Sequence, residues 1–77
     1  MKIYVRNLSP VTSRSELLGC FEKFGEVTDV VIGSYRIKNA SKGFGQVEMP
    51  SKDQGRAAIA AMQGSELDGN LLKVQED

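Results

Sequence analysis

The chain reads as an α+β sandwich with the element order βαββαβ, four strands forming one antiparallel sheet and two helices covering one face of it. Three observations predict this. Lys2 to Arg6 alternates apolar and polar residues at the period of a half-buried strand. Ser13 with Glu16, and Ser51 with Gln54, make two capping boxes, each ahead of a helix-forming run. Between them, β-branched residues crowd Val27 to Ile32.

Strand one puts Ile3 and Val5 on one side and Lys2, Tyr4 and Arg6 on the other. After the turn residues Ser9 and Pro10, Ser13 opens helix one. Leu17, Leu18, Phe21 and Phe24 form its apolar stripe, and Gly25 closes it as C-cap. The stripe is assigned to the core, with Cys20 packing there as a small hydrophobe. Strand two spans Val27 to Ile32, and a polar loop follows from about Gly33 to Ser41. Strand three spans Gly43 to Met49 and is stopped by Pro50. Helix two starts from the Ser51 cap, runs through Ala57, Ala58, Ile59, Ala60, Ala61 and Met62, and ends at Gly64. Leu67 is placed in a short extra strand before Asp68 and Gly69 turn the chain into strand four, Leu71 to Gln75.

Seventy-seven residues with 40% hydrophobic content suit a single domain over 1–77. No apolar stretch approaches the ~18 residues of a membrane helix, and MKIYVRNLSP lacks the apolar run of a signal peptide. Cys20 has no second cysteine to pair with, so a soluble, cytoplasmic, monomeric protein without membrane contact is expected. Ten basic and ten acidic residues cancel, so net charge by itself does not point to nucleic acid. Without histidine the usual general base is missing, and one cysteine cannot build a cysteine-rich zinc site. Neither catalysis, nor a cofactor, nor a metal is expected. An acyl-phosphate hydrolase with this element order would need a phosphate-gripping arginine beside a catalytic asparagine, and Arg14 and Asn7 are only loosely placed for that.

Two strand motifs narrow the reading. Residues 42–49, KGFGQVEM, meet five of the seven specified positions of a basic–glycine–aromatic signature, through Lys42, Gly43, Phe44, Gly45 and Val47, while Gln46 and Met49 depart from it. On strand one, Ile3, Tyr4, Val5, Arg6, Asn7 and Leu8 meet the companion motif in full. With FGEV after helix one and GSELDGNLLKV at the close, the chain resembles the RNA-recognition-motif family, a ferredoxin-like fold, over essentially its whole length. Within that family it looks most like short standalone bacterial proteins with a single such domain.

The resemblance implies single-stranded RNA as ligand, with Tyr4 stacking on one base and Phe44 packing against sugars. In the family pattern, position 46 holds a second base-stacking ring. Strand alternation independently puts Tyr4, Phe44 and Gln46 on the face that the helices leave open. It also puts Lys2, Arg6, Lys42, Leu71, Lys73 and Gln75 on or beside that face, with Arg36 and Lys38 in the flanking loop. These cations are candidates to track phosphates, and Asn7 joins the RNA-contacting set from the strand-one motif. Gln46 offers an amide that donates to and accepts from a base edge, and losing a stacked ring predicts roughly micromolar or poorer affinity. Glu48 and Asp29 dilute the positive face, whereas Glu16, Glu22, Asp53 and Glu66 belong to the helical side or its loops. Single-stranded DNA is an admissible second ligand. The competing function is a protein-interaction module of the same fold, favoured by Gln46, by an exposed Leu71 or Val31, and by zero net charge.

Overall fold

The computed structural model describes residues 1–37 and 40–77, and the side chains of residues 1–33 and 43–77. Its elements are β1 (Lys2–Leu8), α1 (Arg14–Glu22), β2 (Asp29–Ile37), β3 (Ala40–Glu48), α2 (Lys52–Met62), β4 (Glu66–Leu67), β5 (Asn70–Leu71) and β6 (Lys73–Glu76). Four strands form one sheet in the order β2-β3-β1-β6, antiparallel at every join, and β4 with β5 makes a separate two-stranded hairpin. Neither helix is long and apolar enough to cross a membrane.

Alternation decides which face is buried. Ile3, Val5, Val30, Val47 and Val74 point to one side of the sheet and meet Leu17 and Phe21 of α1 and Ala58 of α2 in a single core. Phe24 packs against the edge of that core, and Cys20 is half-buried beside it. Met49, which stands where the strand-three signature wants an aromatic, is fully buried, so that departure serves packing. Burying side chains of this size is worth about 1.5–3 kcal/mol each, and it fixes the strand register, because a slip of one residue would turn every one of them to water.

Several boundaries differ from expectation. The stretch from Gly33 to Ser41 is not a loop for most of its length: β2 runs on to Ile37 and β3 begins at Ala40, paired residue by residue from Gly33 opposite Phe44 to Ile37 opposite Ala40. Tyr35 and Ile37 favour strand, and a neighbouring strand to pair with outweighs the local polarity. Gly25 is not the C-cap of α1. Lys23 caps the helix, and Gly25 lies beyond it at φ 153°, where an added Cβ would collide with the Gln54 side chain. That side chain explains a second difference. Ser13 and Glu16 close the capping box of α1 in both directions, but Gln54 completes only half of the one at α2. Its N–H donates to Ser51 Oγ at 3.3 Å, whereas its Oε1 accepts from Glu26 N–H at 3.3 Å, tying α2 to the segment before β2.

Gly64, at φ 79°, follows the C-cap Gln63 of α2 in the left-handed conformation that a glycine ends a helix with. Asp68 and Gly69, at φ 51° and 86°, make the tight turn of the β4–β5 hairpin. The fourth sheet strand is β6, shorter than the expected Leu71 to Gln75 at its start, because Leu71 pairs with Glu66 in the hairpin and Leu72 turns into the core.

Candidate nucleic-acid interface

The open face is ordered into three rows running across the strands. In the first, Gly33, Phe44, Arg6 and Lys73 lie in register on β2, β3, β1 and β6. The second holds Val31, Gln46, Tyr4 and Gln75. The third holds Asp29, Glu48 and Lys2, joined by Asp77, whose N–H donates to the Lys2 carbonyl at 2.9 Å. The first row therefore carries two cations, the second no charge, and the third three carboxylates against one lysine. A chain neutral in total presents a face that is basic at one end and acidic at the other.

Tyr4 and Phe44 are diagonal neighbours on β1 and β3, and their rings stack with centroids 6.1 Å apart and planes 12° from parallel. The glycine opposite Phe44 makes this possible. A Cβ at Gly33 would come within 2.4 Å of Phe44 Cζ, so the ring spreads over bare backbone of β2. Gly43 and Gly45 open space on the opposite side of the sheet. A Cβ at Gly45 would meet Leu17 Cδ2 at 2.7 Å, and one at Gly43 would meet Leu8 Cβ at 3.0 Å, so both make room on the core side.

Arg6 reaches over the sheet beside these rings. Its Cζ lies 6.0 Å from the Tyr4 centroid, and Nη2 donates to Gln75 Oε1 at 3.2 Å. That contact uses one of five guanidinium donors and leaves the fork near the platform. Lys2, Lys73 and Gln75 are exposed on the same face, as alternation requires. The Gln46 amide has a partner within the chain: its Nε2 donates to Asp77 Oδ2 at 2.9 Å.

Asn7 has a structural task. It occupies the left-handed region at φ 64° where the β1–β3 register shifts, its Nδ2 donates to the Leu71 carbonyl at 2.8 Å, and its own carbonyl accepts from Asn70 Nδ2 at 3.1 Å. Thr12 Oγ1 donates to Asp68 Oδ2 at 2.7 Å, so the hairpin is pinned to the loop after β1. Arg14 Nε donates to the Val30 carbonyl at 2.9 Å, on the edge strand β2, and so Arg14 and Asn7 each spend a side-chain donor on backbone. The Arg36, Lys38 and Lys42 side chains lie outside the described residues.

Sequence reasoning missed Gly33 and Asp77. Gly33 falls in the expected loop, although it continues the alternation Asp29, Val31, Gly33; Asp77 continues Lys73, Gln75, Asp77 in the same way.

A family model described as RNA recognition motif matches residues 3–73. RbpE of Nostoc sp., a protein named for RNA binding, is 41% identical over 76 residues, which cover 99% of this chain and 77% of that protein. Glycine-rich RNA-binding protein 1 of Mycosarcoma maydis is 38% identical over 73 residues, 95% of this chain; the match spans only 42% of that relative's length. Among solved structures, RNA Binding Protein PG1 superposes with a TM-score of 0.88 at 35% identity, covering 100% of this chain and 93% of that one. The Rna15 RRM with bound RNA (GU) superposes with a TM-score of 0.83 at 17% identity over 99% of this chain and 81% of that one, a likeness of fold. With both strand motifs set side by side on an antiparallel sheet and a match from residue 3 to residue 73, this chain belongs to the RNA recognition motif family.

Proposed function

We propose that the chain binds single-stranded RNA across the open sheet face, stacking bases on Tyr4 and Phe44 and holding phosphates at the Arg6–Lys73 end. The observation that carries this is the stacked ring pair, 6.1 Å between centroids, next to the Arg6 guanidinium. RNA recognition motif proteins bind RNA, and the relatives named above are named for it. An unpaired base has a flat π-face, and an aromatic ring fixed on a rigid sheet meets it without ordering a flexible side chain. Paired bases keep that face buried in their own stack, which is why the ligand is a single strand.

The interaction is weak, roughly micromolar or poorer. Gln46 occupies the place of a further stacking ring, and one stacked base is worth about 1–3 kcal/mol, or roughly 5- to 150-fold in affinity. Glu48 and Asp29, in register with Lys2, also set negative charge on the surface that phosphates would cross. The test is titration of RNA hexamers by fluorescence anisotropy with wild type, Tyr4→Ala and Phe44→Ala. Weaker binding by both variants with circular dichroism unchanged supports the reading. Wild-type affinity in both, with the fold intact, removes it.

A further inference from the structure

We infer that Gln46 and Asp77 together form a base-edge reader that favours guanine on the Tyr4 platform; this rests on the RNA-binding reading above. β3 and β6 flank β1 on opposite sides, so the hydrogen bond from Gln46 Nε2 to Asp77 Oδ2, 2.9 Å long, has to cross over β1. The register fixes where. Gln46 lies opposite Tyr4, and the Asp77 N–H bonds to the Lys2 carbonyl, so the bridge passes on the Lys2 side of the Tyr4 ring. Arg6 and Lys73 lie on the other side of that ring, one row away.

A base flat on Tyr4 is thus placed between two unlike borders. Its sugar and phosphate are drawn toward Arg6 and Lys73, which turns its far, Watson–Crick edge toward the bridge. A carboxylate accepts hydrogen bonds and donates none; of its about four lone-pair sites, Gln46 uses one and in doing so holds the group in place. Guanine alone offers two adjacent donors on that edge, N1–H and N2–H, matching the two carboxylate oxygens. Uracil sets a carbonyl on each side of its one N–H. Adenine and cytosine set a bare ring nitrogen beside their amino group. In all three, an acceptor faces the carboxylate, which repels it.

The test measures binding of a uridine hexamer and of three hexamers carrying a single central guanosine, adenosine or cytidine, with wild type, Asp77→Ala and Tyr4→Ala. Asp77 is exposed, and its backbone bond to Lys2 does not need the side chain, so the variant keeps the fold. Wild type is expected to bind the guanosine hexamer about tenfold more tightly than the uridine hexamer, and Asp77→Ala to bring the two within about twofold by weakening the former. Equal wild-type affinity for all four, still lost in Tyr4→Ala, overturns the reader and leaves the RNA-binding reading standing. Equal tightening of all four hexamers in Asp77→Ala also overturns it, because the carboxylate then only repels phosphates. If wild type binds none of the hexamers, both readings fall.

Discussion

The ring of Tyr4 on β1 stacks with that of Phe44 on β3, one row away, with centroids 6.1 Å apart and planes 12° from parallel, so the two rings are coupled to each other. Each ring truncated to alanine should weaken RNA binding by roughly 10- to 100-fold. Because the rings share a contact, the double variant should lose less than the product of the two single losses. Anisotropy titration of the three variants against one hexamer measures the coupling, and strict multiplicativity would mean that the rings act independently.

Two glycines on the two faces of the sheet should respond in opposite ways. Gly33→Ala drives a Cβ into the tip of the Phe44 ring, which is half-buried on the open face and not locked in the core, so RNA affinity should fall about as far as in Phe44→Ala while stability changes by less than about 1 kcal/mol. Gly45→Ala drives a Cβ into Leu17 and Leu8 in a packed core, where overpacking costs about 1–3 kcal/mol. Thermal unfolding should show a fall of about 4–8 °C for each kcal/mol lost by Gly45→Ala, and almost none for Gly33→Ala.

Restoring a ring at position 46 should strengthen the interaction. Gln46→Phe gives up one exposed hydrogen bond to Asp77 and gains a stacking surface in register with Tyr4. An exposed polar contact is worth at most about 1 kcal/mol and a stacked base about 1–3, so hexamers without guanosine should bind roughly tenfold more tightly. Unchanged affinity in a folded Gln46→Phe variant would show that a base does not reach this position.

The distribution of charge over the three rows sets the salt dependence. For single strands the slope of log affinity against log salt is about −0.7 per phosphate neutralised, so two to three contacts give roughly −1.4 to −2.1. Arg6→Ala and Lys73→Ala should each flatten it by about 0.7. Lys2→Ala should change it less, since Glu48 lies directly opposite Lys2 and Asp29 opposite Glu48. Titrations at several salt concentrations check all three.

Much of this was legible in the residues because two periods carry it. The alternation of Ile3 and Val5 with Tyr4 and Arg6 fixes the buried and open faces, and Leu17 with Phe21 marks the helix that covers the buried one. What escaped depended on partners distant in sequence. Gln54 looked like the second half of a capping box, yet Gly25, twenty-nine positions earlier, leaves the space that lets its side chain turn to Glu26. Gly33 looked like loop until β3 supplied hydrogen-bonding partners for it and the residues after it. Nothing in the strand-one motif announces that Asn7, at φ 64° and bonded to Leu71, also clasps the sheet to the β4–β5 hairpin. The Gln46–Asp77 bond was not legible because nothing in a linear motif on β3 points to the end of β6.

Whether RNA lies on the open sheet face is read from amide and aromatic resonances of the labelled protein, mapped by NMR during titration with a mixed-sequence RNA hexamer. Shifts that follow saturation are expected at Tyr4, Arg6, Phe44, Gln46, Lys73 and Gln75, with α1 and α2 left unmoved. Shifts confined to the helices, or none on the sheet face at saturating RNA, would contradict binding on that face.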